Sequence, residues 1–360
     1  MIISAALILA AVFILASALL SAGLIVLLKP LLVRYALARP NARSSHKTPT
    51  PQGGGIAVVL ATLLVAYGAI FFSKDMLLDL STIFVGDTPG DRVSSLLPWT
   101  LAVATMVLAV MGAVDDMRPL PATVRLVLQG AAVALILLTV PPGLRIAPGI
   151  APLWVERLLI FGAGLWFVNL TNFMDGLDWM TVAEFAPITA AIAAAAAILS
   201  LADAHLLALA LFGALLGFAP FNKPVARLFL GDVGSLPIGL LVGWMLLKLA
   251  GSGALAAAIL LPLYYLADAT ITLLKRLTRG ERVWQAHRTH FYQQATDNGF
   301  SAMAVAAHVF GLNLVLAALA LATLTWPAWP IQIGALSIGA GLVALVLKRF
   351  ATPRLVRVIA

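Results

Sequence analysis

Long apolar segments separated by short polar ones dominate this sequence from end to end. Crossing a bilayer as a helix takes about 20 apolar residues, and about eleven segments approach that length. They lie near residues 3–28, 54–72, 98–114, 122–140, 154–172, 181–200, 205–220, 235–250, 254–274, 301–325 and 331–347. Each segment is continuously apolar rather than alternating, which excludes membrane strands. The pattern therefore predicts an all-α polytopic membrane protein with about eleven transmembrane helices.

Composition supports this class of protein. Hydrophobic residues make up 62% of the chain and charged residues 11%, which is far from the usual balance of a soluble domain. The absence of cysteine excludes disulfides, thiol catalysis and cysteine metal sites. The first 28 residues carry no charge, which predicts a retained first span rather than a cleaved signal peptide. We expect residues 1–360 to form a single integral-membrane domain.

Basic residues give the orientation. An outside N-terminus and an inside C-terminus place most of the 23 Lys and Arg residues in cytoplasmic segments. Only Lys74, Arg92, Arg145, Arg157 and Lys248 then fall on the outer side. The net charge of +8 is thus explained by membrane orientation, and no nucleic-acid partner is expected.

Acidic motifs at the ends of these spans are the first candidates for chemistry. Asp115 and Asp116 close the third span, Asp175 and Asp178 lie between the fifth and sixth, and Asp232 opens the eighth. On the predicted topology all of them face the cytoplasm, and carboxylates at a membrane edge are costly unless a cation satisfies them. Oxygen ligands favour Mg²⁺, with Mn²⁺ as the alternative, over Zn²⁺. The structural alternatives are helix caps for Asp178 and a solvated pair for Asp115–Asp116.

Three further motifs leave alternatives open. The loop His287-Arg288-Thr289-His290 fits phosphate contact, or contact with lipid headgroups by a basic loop. The glycines at 53–55 open a span after a basic loop, which favours either anion binding or a flexible connector. Asp268, within the ninth span, is expected to pair with a base such as Lys275 or to face a catalytic cavity.

Together these motifs resemble the polyprenyl-phosphate N-acetylhexosamine-1-phosphate transferase family, from about Pro40 to Ala295. The sequence around the histidines is similar to that of the O-antigen and teichoic-acid branch, and the resemblance to the muramoyl-pentapeptide phosphotransferases is more distant. The resemblance implies Mg²⁺-dependent transfer of an N-acetylhexosamine-1-phosphate from a UDP-sugar to undecaprenyl phosphate. UMP is released, and a lipid-linked envelope glycan is initiated at the cytoplasmic face of the bacterial inner membrane.

The resemblance also assigns roles to individual residues. It implies catalytic roles for four acids: Asp115, Asp116, Asp175 and Asp178. It implies metal binding by Asp232 together with Asp175. It implies substrate contacts by Lys47, Asn172, Asn222, Phe229, His287, Arg288 and His290, with Asn222 and Phe229 on the nucleoside. Of the adjacent pair, we predict that Asp115 faces the lipid phosphate and that Asp116 lies nearer the metal.

Two other classes of membrane protein compete with this interpretation. A polytopic transporter with an acidic substrate or ion site would place its ionisable residues near the midplane, often in repeated halves. No repeat is visible here, and most of the acids lie at one membrane edge. A CDP-lipid phosphotransferase would carry Asp-Gly-x2-Ala-Arg, which is absent. The expected partners are a UDP-N-acetyl sugar, undecaprenyl phosphate and membrane lipid, and a homodimer is left open.

Overall fold

The computed structural model describes residues 2–38, 49–75, 97–282 and 287–353, which are almost entirely helical. The first helices are α1 (Ile2–Tyr35), α2 (Gly55–Asp75), α3 (Leu97–Met117), α4 (Ala122–Thr139), α5 (Leu153–Met174), α6 (Met180–Ile198) and α7 (Ala202–Asn222). They are followed by α8 (Asp232–Gly251), α9 (Leu255–Leu260), α10 (Leu263–Thr278), α11 (Phe291–Asp297), α12 (Ala302–Thr325) and α13 (Trp329–Ala351). Two antiparallel strands of two residues each, β1 (Leu37–Ala38) and β2 (Thr50–Pro51), lie between α1 and α2.

This architecture confirms the all-α polytopic class. Within the described residues, nine helices are long and apolar enough to cross a membrane. Helix α2 and the α9–α10 pair occupy the two other predicted spans. Large apolar side chains such as Leu19, Leu138 and Leu345 are exposed on the outer helices, as expected for a surface that meets lipid. The count of eleven spans and the orientation stay predictions.

Helices α6, α7 and α8 form the centre of the bundle, and most of their side chains are buried. They are apolar on every side, as expected of helices without a solvent face. Gly213 and Gly217 of α7 lie against the backbone of α1, because a Cβ at either position would come within 2.3 Å of a carbonyl oxygen of α1. Such small residues let membrane helices approach closely.

The ninth predicted span is broken rather than continuous. Helix α9 ends at Leu260 and α10 begins at Leu263, with Pro262 between them. A helix start leaves amide groups without intrahelical partners. One of these, the N–H of Tyr265, points to Glu184 Oε1 at 3.4 Å, while Asn313 donates to Glu184 Oε2 at 2.6 Å. This buried glutamate on α6 therefore serves the break and holds α10 at a fixed angle for the site.

The glycines at 53–55 bring the start of α2 against the start of α8. The amides of Gly54 and Gly55 donate to the carbonyl oxygens of Phe229 and Leu230 at 2.9 and 2.8 Å. A Cβ on Gly55 would lie 2.2 Å from the Cα of Gly234, so no larger residue fits. The expectation that this segment binds an anion is wrong for these two amides, because carbonyl oxygens already occupy them.

Candidate active site

A polar cavity of about 580 Å³ lies between α4, α5, α8, α10 and α11, at the end of the bundle where α8 begins. We call it the polar cavity. Its polar lining consists of Arg125, Gln129, Asn169, Asn172, Asp232, His287, His290 and Gln293. Five segments that are far apart in the sequence meet here. Four of the predicted site residues line it, namely Asn172, Asp232, His287 and His290.

Asp116 joins α3 to the start of α8. Its carboxylate accepts hydrogen bonds from the amides of Asp232 at 2.9 Å and Val233 at 3.2 Å. A carboxylate is favourable at a helix N-terminus, where free amides and the helix dipole meet it. Gly231 precedes the helix with φ of 78°, and a Cβ there would strike the Asp116 carboxylate. The fold therefore fixes Asp116 beside Asp232, and its place near a metal stays a prediction.

Asp115 lies beside Asp232 as well, and it also makes contacts toward α4. Its Oδ1 accepts the amide of Leu120, and its Oδ2 pairs with the guanidinium of Arg125 at 3.0 Å. The side chain of Arg125 is about one-third exposed and lines the polar cavity. Asp115 does not line the cavity itself, but its partner Arg125 does. Its predicted contact with lipid phosphate stays a prediction.

Asn172 links α5 to α8 inside the cavity. Its Nδ2 donates to Asp232 Oδ1 at 2.7 Å and to Ser235 Oγ at 3.0 Å. Ser235 lies inside α8, whose N-cap is Gly231. Asn172 therefore orients the carboxylate that the sequence predicts to bind the metal.

Asp175 ends α5 one turn beyond Asn172 and is half-buried. Thr181 donates its hydroxyl to Asp175 Oδ1. The pKa of Asp175 is raised to about 7, chiefly by burial and also by the negative charges of Asp116 and Asp178, while the hydrogen bond from Thr181 opposes the shift. A cation bound nearby would stabilise the ionised form of such a carboxylate. The negative charge of Asp116 interacts with the carboxylates of both Asp175 and Asp232.

Asp178 and Asn222 are placed differently from the other predicted residues. Asp178 is buried and accepts the amide of Ala226 at 3.0 Å. Asn222 is buried too; its oxygen accepts the amide of Trp179 at 2.8 Å and its Nδ2 donates to the Leu228 carbonyl at 3.0 Å. Both fix the 223–231 loop against the end of α5. Neither lines the polar cavity, so a catalytic role for Asp178 and a nucleoside contact by Asn222 stay predictions.

The remaining residues predicted to contact substrate are Phe229, Arg288 and Lys47. Phe229 is half-buried on that same loop, where its amide donates to the Pro51 carbonyl at 2.9 Å. Arg288 directs its guanidinium toward α11, bonding Thr296 Oγ1 at 3.0 Å and Asp297 Oδ1 at 3.2 Å, and it does not line the cavity. Lys47 lies outside the described residues.

Asp268 organises the histidine loop. It is fully buried and accepts the amides of Phe291 at 2.9 Å and Tyr292 at 3.0 Å, so it caps α11. Its Oδ1 also lies 3.3 Å from His290 Nδ1. Since His290 lines the cavity, its Nε2 is the ring nitrogen left for a ligand. Asp268 therefore pairs with His290 rather than with Lys275 or the cavity.

Helix α11 is also docked onto the turn that carries Asp175. Tyr292 Oη donates to the carbonyl of Phe173 at 3.0 Å. A Cβ on Gly176 would lie 2.2 Å from that Oη, so glycine is required at this position. Burial raises the pKa of Tyr292, which therefore stays neutral as a hydrogen-bond donor. These contacts hold the histidine loop against the acidic residues.

A second, apolar depression continues along α4, α5 and α8 from the polar cavity. We call it the apolar groove; it measures about 240 Å³ and is lined by residues such as Val133, Phe167, Leu240, Leu247 and Leu266. Along α4, Val133 follows Gln129 of the polar cavity by one turn. Polar and apolar sites therefore adjoin on the same helices.

The residues fit a divalent cation in their chemistry. Asp116 lies close enough to Asp175 and to Asp232 to interact electrostatically with both carboxylates, and the basic Arg125 is paired with the adjacent Asp115. In the described part of the chain, no group of three or more acidic or histidine side chains is arranged to hold a metal alone. A hard cation held by one or two carboxylates, completed by substrate phosphates, matches this arrangement.

Several of these residues were not singled out in the sequence. No motif in the sequence assigns a role to Arg125, Gln129 or Asn169. The spacing of Arg125 and Gln129 places them on one face of α4, and Asn169 and Asn172 share a face of α5. Polar residues at helical spacing on two adjacent apolar spans are the signal that would have found them.

Comparison with known proteins identifies the class. The sequence model of glycosyl transferase family 4 matches residues 98–250, the segment from α3 to α8 that holds the acidic cluster. Together with the relatives described next, this match supports the resemblance seen in the motifs and an enzyme of the phosphotransferase class.

Individual relatives agree with that class. The chain is 27% identical over 302 residues to the decaprenyl-phosphate N-acetylglucosaminephosphotransferase of Mycobacterium tuberculosis (strain ATCC 25618 / H37Rv), covering 74% of this chain and 70% of the relative. It is 23% identical to a probable undecaprenyl-phosphate N-acetylglucosaminyl 1-phosphate transferase of Bacillus subtilis (strain 168), covering 77% and 75%. A phospho-N-acetylmuramoyl-pentapeptide-transferase of Streptococcus pneumoniae serotype 4 is 28% identical over a shorter region, covering 48% and 56%.

Proposed function

We propose that this protein transfers an N-acetylhexosamine-1-phosphate, with N-acetylglucosamine as the first candidate sugar, from a UDP-sugar to a polyprenyl phosphate. The relatives named above support this choice of donor sugar and acceptor. The observation that carries the proposal is the polar cavity with Asp232 beside Asp116, directly adjoining the apolar groove. A reaction between a water-soluble sugar nucleotide and a lipid phosphate requires these two surfaces together.

Charge neutralisation is the main task of such a site, because both reactants are anionic phosphates. Asp232 and Asp175 would hold Mg²⁺, which supplies charge neutralisation and alignment of the phosphates. Arg125, held by Asp115, faces the cavity and is suited to the acceptor phosphate. His290, held by Asp268, would present Nε2 to the same cavity. Asn172 keeps the Asp232 carboxylate in one orientation.

The bond changes balance without a separate base. An oxygen of the polyprenyl phosphate forms a bond to the β-phosphorus of the UDP-sugar, and the bond from that phosphorus to the bridging oxygen breaks. UMP leaves with the electron pair. A phosphate monoester has its second pKa at about 6, by analogy with phosphoserine, so the acceptor is already largely ionised at neutral pH. Asp115, bonded to Arg125 and to an amide, is therefore assigned to positioning the arginine rather than to proton removal.

The apolar groove would receive the first isoprene units of the acceptor. Its lining is almost wholly apolar, and exposed apolar surface on the lipid side continues from it. We place the polar cavity at the cytoplasmic face of the bacterial inner membrane, on the basis of the loop charges. The product would initiate a lipid-linked glycan of the cell envelope. The buried acids Glu184 and Asp268 serve helix starts, which gives the transporter alternative no support.

The test uses the purified full-length protein in lipid nanodiscs. We expect UMP release from UDP-N-acetylglucosamine only when polyprenyl phosphate and Mg²⁺ are both present, and a lipid product heavier by one N-acetylglucosamine phosphate. EDTA should stop the reaction and added Mg²⁺ should restore it. Release of UDP instead of UMP, or the same rate without polyprenyl phosphate, would contradict the proposal.

A further inference from the structure

A threonine hydroxyl bonds one of the acids of the candidate site, and no role in the reaction has been assigned to it. Thr181 lies in the first turn of α6, is only 1% exposed, and donates from Oγ1 to Asp175 Oδ1. Two other buried threonines, Thr171 of α5 and Thr189 of α6, instead donate to the carbonyl oxygen four residues earlier, which is a common bond of a helical threonine. Four residues before Thr181 lies Leu177, which precedes α6. The Thr181 hydroxyl is therefore directed at the carboxylate rather than at its own helix.

A buried tyrosine fixes the direction of that hydroxyl. Tyr265, near the start of α10, is fully buried, and its phenol is a hydrogen-bond partner of Thr181. The Tyr265 ring packs edge-on against Phe185 with ring centroids 5.5 Å apart, and its Oη lies 3.5 Å from the carbonyl oxygen of Met174. A hydroxyl has one hydrogen, and Thr181 gives its hydrogen to the carboxylate, so the phenol is the donor between the two hydroxyls. Tyr265, Thr181 and Asp175 are thus hydrogen-bonded in series.

Asp175 depends on the bond from Thr181 for its orientation. In the described part of the protein, no other hydrogen bond reaches this carboxylate, and its Oδ2 is not sealed off by protein. The negative charges of Asp116 and Asp178 act on Asp175, and repulsion between like charges favours turning its carboxylate away from them. The bond to Oδ1 opposes that rotation. Without it, a cation would have to order the carboxylate on binding, at the cost of the freedom that the side chain loses.

The chemistry of a hydroxyl suits this task. A lysine or arginine in the same place would also hold the carboxylate, but its positive charge would oppose the binding of a divalent cation. A hydroxyl is neutral, so it fixes one oxygen and leaves the negative charge in place. Carboxylates that bind metals are themselves hydrogen-bonded in this way, and loss of such a bond lowers metal affinity or activity by about 10–100-fold.

We propose that Thr181, held by Tyr265, is a positioning residue that keeps the Asp175 carboxylate oriented for Mg²⁺. Both residues act through Asp175 rather than by contact with the ion. This inference rests on the proposed function, in which Asp175 is a metal ligand, and it deepens that function by naming the residues that prepare the ligand.

The affinity for a metal ion in the absence of substrate tests this inference. Mn²⁺ alone is titrated into the full-length protein in phosphatidylcholine nanodiscs, which carry no net charge, and the electron paramagnetic resonance signal of the free ion gives the affinity. Thr181→Val keeps the shape of the side chain but removes the hydroxyl, and we expect an affinity about tenfold lower. Thr181→Ser restores the hydroxyl and should bind Mn²⁺ within about twofold of the unaltered protein. Tyr265→Phe should lose about threefold, because Thr181 keeps its own hydrogen for Asp175.

Two controls separate positioning from a general effect on the fold. Thr189→Val removes a buried hydroxyl from the same helix, where it bonds the carbonyl oxygen of Phe185, and it should leave the Mn²⁺ affinity unchanged even if stability falls. Asp175→Asn should lower the affinity by itself. Adding Thr181→Val to Asp175→Asn should then lower the affinity by no more than about twofold, because the two residues act as one unit.

Three results would overturn the inference. The first is an unchanged or higher Mn²⁺ affinity in a folded Thr181→Val protein, and the second is an equal loss in Thr189→Val. The third is the full loss of about tenfold from Thr181→Val in the Asp175→Asn background. If Thr181→Val does not fold, Thr181→Ala takes its place. UMP release is recorded on the same samples: its failure with every donor would overturn the proposed function, whereas an active enzyme whose Mn²⁺ affinity does not depend on Thr181 would overturn only the inference.

Discussion

Replacing Asp268 by asparagine isolates the support beneath the histidine loop. The carboxylate accepts five hydrogen bonds: from Phe291 N, Tyr292 N, Tyr264 Oη, Thr272 Oγ1 and His290 Nδ1. Three of these reach Oδ1 and two reach Oδ2. An asparagine therefore keeps most contacts only when its oxygen takes the place of Oδ1.

That orientation turns an NH₂ group toward the amide of Tyr292 and the hydroxyl of Tyr264. The hydroxyl can rotate and accept, but the Tyr292 N–H cannot, so one buried donor is left unpaired. Such a loss costs about 1–3 kcal/mol. For a chain of this length we expect the melting temperature in detergent to fall by roughly a few degrees. Turnover should fall at least about tenfold, since α11 begins directly after His290.

Tyr264→Phe is the matched comparison. It removes one hydrogen bond from the same carboxylate but leaves the amides of α11 and the contact with His290 in place. We expect a stability loss of about 1 kcal/mol with turnover nearly unchanged. Melting curves and initial rates of UMP release are measured on the same preparations. Full stability and full activity in Asp268→Asn would refute the account of this buried acid, as would equal losses of turnover in both variants.

Three further predictions concern charge. Because the folded pKa of Asp175 is raised to about 7, the unfolded chain holds fewer protons between the two pKa values, so this group lowers stability as pH rises from 4 to 7. Bound Mg²⁺ would stabilise the ionised form of Asp175, so the affinity for Mg²⁺ should rise about tenfold from pH 6 to pH 8. Calorimetry measures this affinity, and an affinity that does not change with pH would exclude Asp175 as a ligand. Arg125→Met should raise the KM for polyprenyl phosphate by about tenfold with little change in the KM for the UDP-sugar, and Asp115→Asn should do the same to a smaller degree. Equal effects on the two KM values would contradict the assignment of Arg125 to the acceptor phosphate. Single cysteines after Val93 and after Arg282 should label from the outside and the inside of cells, respectively, and inside labelling at Val93 would reject the topology.

The sequence predicts the helices well because a bilayer imposes a length and an apolar surface on each span. Where the chain departs from that simple rule, contacts between distant parts of the sequence determine the local structure. The break before α10 depends on Pro262 together with Glu184 of a different helix, and no local pattern shows that second partner. Likewise, Asp268 meets His290 only because α10 and α11 pack together.

The candidate site was predictable in its residue types but less so in its geometry. Asp116, Asp232 and Asn172 converge as the motifs suggest. Asp178 and Asn222 have the same residue chemistry, yet both are turned toward backbone groups of the 223–231 loop. A polar side chain beside an apolar run satisfies either a ligand or the backbone, and its orientation depends on loops that pack from elsewhere in the chain.

The most direct measurement is formation of the phosphosugar lipid by Asp232→Asn in nanodiscs, followed by mass spectrometry. Asp203→Asn, at the opposite end of α7 and paired with Lys248, is the matched control. We predict a lipid heavier by one N-acetylglucosamine phosphate with the unaltered protein and with Asp203→Asn. Asp232→Asn should yield less than about one hundredth of that product at equal Mg²⁺, because loss of a metal-binding carboxylate removes several kcal/mol of transition-state stabilisation. Normal product formation by a folded Asp232→Asn protein would contradict the account.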